Sequence, residues 1–372
     1  FPTFILLTRT LKSLILHDCM INDPGANALA HGLVKNTTLT ELDFGGNSIG
    51  DNGATDFYNL LVFNKSLKSL SLCGVKMPED LAPFHGWSSL FEHIMHKAKL
   101  TTLNLSNTGL SPKVIKSLLL TNVTLKKLLV SGISSSVSNK SSCQKMVKAI
   151  CEGLRRNKTL ESLWLVGETD TLHLEALLPS ISTNNGLKEL SVRISSFDDV
   201  ERLACISKIC KCLQSKPNIK SLGLIHSDLG KPELTVLKAF LKQHRTITNL
   251  DLSGQYFDED TIGIFSSLLQ TAQLQGLTIN ETNIGDPTPL RMLRSFICND
   301  IYLKTLTILR SGFNKQHGKY ISKALKTNIG LEWVNLGQPK GVYKSLPDDN
   351  CNQFSTKFWR FMDEYFQYTV NT

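Results

Sequence analysis

A short apolar pattern, Leu-x-x-Leu-x-Leu with occasional Ile, Val or Phe, recurs twelve times along the chain. Its copies begin at Leu11, Leu39, Leu67, Leu100, Leu125, Leu160, Leu187, Ile219, Ile247, Leu274, Leu303 and Leu331, at intervals of 25 to 35 residues centred on 28. The alternation at the end of each copy is the period of a strand. A turn with an apolar anchor follows most copies: Ile21, Ile49, Met77, Leu110, Leu229, Phe257, Ile284 and Phe313. The spacing then becomes helical, as in Ala26, Leu29, Ala30, Leu33 and Val34, or in Leu234, Leu237, Phe240 and Leu241. These helices end at polar residues, often Asn (Asn36, Asn64, Asn157, Asn328), a residue that tolerates the left-handed conformation of a helix C-terminus. A strand-turn-helix unit cannot bury its apolar face alone. Stacking about twelve of them predicts an α/β solenoid with a parallel inner sheet and outer helices.

Three units are longer than the rest. Phe84-His85-Gly86-Trp87 predicts an extra turn before its helix, and Phe197-Asp198-Asp199-Val200 a longer helix entry. The polar run from Ser131 to Ser142 reads as a mobile loop beside the sheet. After Leu336 the repeat breaks. A segment from about Gln353 to Tyr368 then puts Phe354, Phe358, Phe361, Met362, Tyr365 and Phe366 on one helical face, suited to capping the last repeat. The expected organisation is therefore a solenoid over 1–340 and a loop with a capping helix over 341–372. The opening Phe1-Pro2-Thr3-Phe4-Ile5-Leu6-Leu7 reads as part of a longer chain.

The stretch Leu39-Thr40-Glu41-Leu42-Asp43-Phe44-Gly45-Gly46-Asn47-Ser48-Ile49-Gly50-Asp51-Asn52-Gly53-Ala54 resembles leucine-rich repeats of the ribonuclease-inhibitor subfamily. The resemblance extends over about residues 11 to 338. It implies a horseshoe whose concave sheet binds another protein. The family's Asn or Cys after the strand is matched by Cys19 and Asn47 but replaced by Thr108, Ser227, Gln255, Thr282 and Ser311, which predicts a weakened side-chain hydrogen-bond ladder. The Lys- and Asn-rich repeats also look like those of bacterial effectors that act inside host cells. A second activity linked to the fold is that of Ran-directed GTPase-activating proteins. Those carry an acidic C-terminal segment, whereas this chain is +9 and ends in aromatic residues.

Composition narrows the function further. Among 372 residues, 41% are hydrophobic and 20% charged, and no run of eighteen apolar residues exists. The positive charge is spread out. Lys12, Lys68, Lys126, Lys127, Lys188, Lys220 and Lys304 at strand starts alternate with Glu41, Glu161 and Glu332, a mixed rim that argues against nucleic acid. Nine cysteines, several at helical positions, fit small core residues in a reducing compartment. Seven Asn-x-Ser/Thr matches occur, four of them at helix-ending Asn (Asn36, Asn64, Asn122, Asn157), so the repeat itself explains them. The expected location is the cytoplasm, or a host cytosol for a secreted effector. No phosphate-binding loop, nucleophile elbow or His-Glu-x-x-His motif is present. His85, His93 and His96 are read as surface histidines and Cys205, Cys210 and Cys212 as packing residues, so no catalytic residue, metal or cofactor is expected.

The informative surface is the inner sheet. Alternation sends the residue between the last two leucines to the concave face: Ile15, Asp43, Ser71, Asn104, Leu129, Trp164, Ser191, Gly223, Asp251, Thr278, Thr307 and Asn335. Leu129 and Trp164 are the large apolar members in adjacent repeats. Val166, Arg193 and Ile225 follow two positions later in successive repeats, with Ile194 and His226 alongside. An exposed Trp amid aliphatics and Arg has the composition of a protein-binding hot spot. The competing reading buries Trp164 beneath the serine-rich loop. The sequence thus predicts a non-catalytic solenoid that binds a partner protein through Leu129, Trp164, Val166, Arg193, Ile194, Ile225 and His226.

Overall fold

The computed structural model describes residues 10–131, 140–169, 171–194, 198–313 and 315–336. The chain divides into two compact units, Phe1–Leu187 and Lys188–Thr372. The first holds β1 (Ser13–Ile15), α1 (Asp23–Leu33), β2 (Glu41–Asp43), α2 (Asp51–Phe63), β3 (Ser69–Ser71), α3 (His85–His96), β4 (Thr102–Asn104), α4 (Pro112–Thr121), β5 (Lys127–Val130), α5 (Lys140–Arg156), β6 (Ser162–Thr169) and α6 (Thr171–Thr183). The second holds β7 (Glu189–Ile194), α7 (Asp199–Gln214), β8 (Ser221–Leu224), α8 (Lys231–Gln243), β9 (Asn249–Asp251), α9 (Glu259–Ala272), β10 (Gly276–Thr278), α10 (Pro287–Asn299), β11 (Thr305–Thr307), α11 (Lys315–Leu325) and β12 (Trp333–Asn335). Each strand starts within its Leu-x-x-Leu-x-Leu copy, and β6 and β7 run on past it, to Thr169 and Ile194. Within each unit the strands follow chain order, and every pair is parallel. Parallel neighbours require a crossover, and the helix of each unit supplies it. The proposed capping segment and most of the serine-rich run fall outside the described residues.

The core forms because the repeat places leucines at one depth. Leu42, Leu70, Leu103, Leu128 and Leu163 stand in register in the first unit, each 1% exposed or less. Leu190, Leu222, Leu250, Leu277 and Leu306 stand in register in the second, each 2% exposed or less. Helix faces close over them, with Phe57 on α2 edge-on to Phe44 and Phe265 on α9 stacked on Phe257. Of the longer units, the third puts Trp87 on α3 itself, 1% exposed. The seventh uses Asp198 as an N-cap accepting from the N–H groups of Val200 and Glu201; Phe197 is outside the described residues.

The helix-ending asparagines do something other than expected. Asn64 and Asn122 are extended, with φ of −72° and −76°, not left-handed. The Asn64 amide donates to the carbonyls of Leu33 and Asn36 at 2.7 and 2.9 Å, while its oxygen accepts from the N–H groups of Ser66 and Leu67. Asn184 repeats the arrangement on Leu154, Asn157, Gly186 and Leu187, and Asn328 on Ile297, Asp300, Gly330 and Leu331. Each side chain satisfies carbonyls left over at the preceding helix end and aims the chain into the next strand. A second ladder runs just past the strands. The Asn47 amide donates to Leu16, Phe44 and Gly45 carbonyls, and Gln255 spans to the Leu229 N–H and carbonyl, both at 2.8 Å. Thr108, Ser227, Thr282 and Ser311 reach one or two carbonyls each with shorter hydroxyls, so the ladder persists through substitution. Cys19, by contrast, is exposed.

Candidate protein-binding surface

The strand register sets one row of residues between the buried leucines. In the first unit it runs Ile15, Asp43, Ser71, Asn104, Leu129, Trp164, and in the second Ser191, Gly223, Asp251, Thr278, Thr307, Asn335. Asp43, Ser71 and Asn104 are half-buried, as are Asp251, Thr278 and Thr307. A polar row next to an apolar core is what alternation demands of a sheet with one face toward water.

Leu129 and Trp164 depart from the expected exposure. They are paired in register and packed together, each only 7% exposed. The Lys127 ammonium lies 3.8 Å from the centroid of the indole, in cation–π geometry. Neighbouring parallel strands are about 4.8 Å apart, so Leu129 and the stem of Lys127 take up ring area that the sequence assigned to water. Val166 lies in β6, but its side chain is outside the described residues. Of the serine-rich run, Ser131 is described: its hydroxyl accepts from the Asn107 N–H at 2.6 Å and donates to the Asn107 side chain at 2.8 Å.

In the second unit, Ile194 is 2% exposed. It shares the parity of Leu190 and Val192 on β7, and that parity makes it a core residue instead of a surface one. Ile225 is also buried, at 6%, its N–H donating to the Val192 carbonyl. Arg193 and His226 retain partial exposure. His226 has φ of +44°, in the left-handed region that non-glycine residues seldom occupy. Its N–H donates to the Ser253 carbonyl at 2.7 Å. The imidazole lies against Gly254, where a Cβ would stand 2.0 Å from Nδ1, so that glycine leaves the room the ring needs. Nε2 is 3.6 Å from Glu281, whose other carboxylate oxygen is 3.3 Å from Arg310. Burial pushes the His226 pKa down; Glu281 pulls it up, Arg193 presses it down further, and the net displacement is downward.

Glu281 and Arg310 were not singled out in the sequence. Both have positive φ, 54° and 52°, at the repeat position of His226 and Gly254. The first unit repeats the backbone at Asp18, Gly46, Gly74 and Asn107. There His17 approaches Asp43 at 3.5 Å and Asp18 at 3.4 Å. Burial raises the Asp43 pKa, but the His17 contact, the Gly45 N–H and Ser71 outweigh it, and the carboxyl stays below its ordinary range.

The residues considered for other chemistry have structural settings. His93 approaches the Leu61 carbonyl at 3.3 Å and packs edge-on to Tyr58, while His85 and His96 mark the two ends of α3. Among the described residues, no three His, Cys, Asp or Glu side chains are grouped to hold a metal. Cys205 is fully buried, and burial pushes the Cys210 thiol up to about 12. No helix among the described residues is long and apolar enough to cross a membrane.

Comparison with known proteins adds the following. The Leucine Rich repeat family matches residues 9–30 and 35–57. The chain is 28% identical over 253 residues to NACHT, LRR and PYD domains-containing protein 5 of Homo sapiens, a match covering 66% of this chain and 18% of that protein. It is 42% identical over 57 residues to Leucine-rich repeat-containing protein 45 of Gallus gallus, covering 15% and 8% respectively. The chain thus spans less than a fifth of the length of either relative. Among solved structures, the leucine-rich repeat-containing protein LegL7 from Legionella pneumophila aligns with a TM-score of 0.47 at 14% identity, over 75% of this chain and 86% of that one.

Proposed function

We propose that this chain, a leucine-rich-repeat protein, is a non-catalytic recognition module of the cytoplasm that binds a partner protein through the strand face of its repeats. The observation that carries this reading is the register: one residue per repeat stands in the same position beside the core, and six of the twelve, Asp43, Ser71, Asn104, Asp251, Thr278 and Thr307, are polar and half-buried. Such a row offers many weak, shape-matched contacts, on which a few larger side chains confer specificity. In the second unit those side chains are Arg193, His226, Glu281 and Arg310. In the first they are Lys127 with the Trp164 and Leu129 beneath it. The Lys- and Asn-rich repeats favour a role as an effector or inhibitor inside a host cell.

The test is affinity capture with the intact chain as bait, followed by binding measurements on the captured protein. Arg193→Glu with Arg310→Glu should weaken binding while leaving the unfolding midpoint in place; Lys127→Glu should weaken it too, with only the small stability loss that follows when the ammonium leaves the Trp164 ring. Binding indifferent to both changes would overturn the strand-face assignment. A GTPase assay in which the chain stimulates hydrolysis would overturn the non-catalytic reading.

A further inference from the structure

Helices α4 and α5 pack against each other, as do α5 and α6. Together α4 and α5 carry Lys113, Lys116, Lys145, Lys148, Arg155 and Arg156 among their described side chains, against a single carboxylate, Glu152. That carboxylate is already engaged: it pairs with Lys116. The Lys116 hydrogen bond holds its pKa below the usual carboxylate range, and Lys148 and Arg155 act in the same direction. A groove of about 410 Å³ opens between α5 and α6, on the helix side of the first unit. Its floor is apolar and recessed: Val147 and Cys151 from α5 are buried, and the Cys151 thiol approaches the Ala176 carbonyl of α6 at 3.5 Å. At its edge stand Lys148 and Arg155, both exposed, and Leu172, which is 71% exposed on the first turn of α6.

We propose that this groove is a second docking surface, distinct from the strand face, for an acidic amphipathic helix of a partner protein. Apolar side chains of that helix enter the floor beside Val147 and pack on Leu172, and its carboxylates meet Lys148 and Arg155. The groove lining carries two cations, Lys148 and Arg155, and one carboxylate, Glu152, which Lys116 already engages, and that balance beside an apolar floor favours a peptide that brings both leucines and carboxylates. A concave recess between two helices suits inserted side chains better than it suits a flat lipid surface.

The probe is a fluorescently labelled synthetic peptide with Leu at helical i, i+3, i+4, i+7 spacing and Glu elsewhere, followed by anisotropy with the full chain. Binding should weaken as salt rises. Lys148→Glu with Arg155→Glu should lower affinity by about tenfold or more, a loss of about 1.4 kcal/mol or more. Leu172→Asp should lower it as well, and Lys220→Glu in the second unit should not. All these side chains are exposed, so the unfolding midpoint, measured in parallel, should stay put. Equal affinity for a peptide with Gln in place of Glu, or indifference to the groove variants, would overturn the proposal. So would failure to bind the peptide alongside binding to anionic phospholipid vesicles that the same variants abolish; that result would assign the surface to lipid.

Discussion

Arg202 on α7 and Glu233 on α8 form an ion pair, Nε to Oε1 3.4 Å, with side chains only 8% and 1% exposed. A second arm of the guanidinium reaches Asp199 at 2.6 Å, and that carboxylate lies in solvent. The pair joins two successive repeats of the second unit inside the helix layer. Removing one partner leaves a charge in a poorly solvated place. Arg202→Met, which strands the Glu233 carboxylate, should therefore destabilise the unit by about 3–5 kcal/mol, whereas Asp199→Ala, at the wet end, should cost about 0–1 kcal/mol. Urea denaturation of both variants checks the contrast, and similar costs would refute it.

Trp164→Ala should lower stability by about 3–5 kcal/mol, since it removes a buried indole packed on Leu129. Lys127→Met, which keeps the stem over the ring and deletes the charge, should cost about 0.5–2 kcal/mol. Chemical denaturation reads both values. An unchanged midpoint for Trp164→Ala would return the ring to the exposed site that alternation alone suggests.

Gly254→Ala should destabilise the second unit, because φ is +74° there and the new methyl group meets the His226 ring. The clash and the backbone strain can be separated. Combining Gly254→Ala with His226→Ala should recover the part due to the ring and leave about 1 kcal/mol for the backbone. Thermal melts of the two single variants and the double variant give the coupling. Strict additivity would mean that the ring does not need the glycine.

Stability should fall as pH drops below the ordinary histidine value of 6.5, because the pKa values of both His226 and His93 are lowered in the folded chain. The unfolded chain then binds more protons in the window from 6.5 down to the folded values, so acid favours unfolding. His226→Gln should flatten part of that slope between pH 7.5 and 5.5 in melting experiments. A variant with the wild-type slope would remove His226 from this account.

The strands were legible because a leucine that faces a core has few substitutes, and twelve copies of one spacing leave little freedom of register. The helices followed from residues such as Leu29 and Leu33 for the same reason. Trp164 was misjudged because the burial of a strand-face side chain depends on what its neighbours do, and Lys127 carries no sign in the sequence that it lies over an indole. Ile194 was placed on the surface although its parity with Val192 already argued for the core. Asn64 was recognised as a helix end but given the wrong backbone, since asparagine serves left-handed caps and side-chain bridges alike. Glu281 and Arg310 escaped notice because left-handed backbone is usually announced by Gly or Asn, as at Gly254 and Asn107.

The asparagine bridges bear on how the first unit comes apart. Asn122, Asn157 and Asn184 each hold the helix end of the repeat before them, at Ile94, Leu119 and Leu154. The last-turn carbonyl bonded there gains its side-chain partner only once the successor is in place. Loss of one repeat strips the bond from the one before it, so unfolding that begins at Asn184 spreads toward the N-terminus like an opening zip. An alanine at Asn157 would insert a weak tooth, and hydrogen exchange would then show the repeats on its two sides opening at different free energies instead of together.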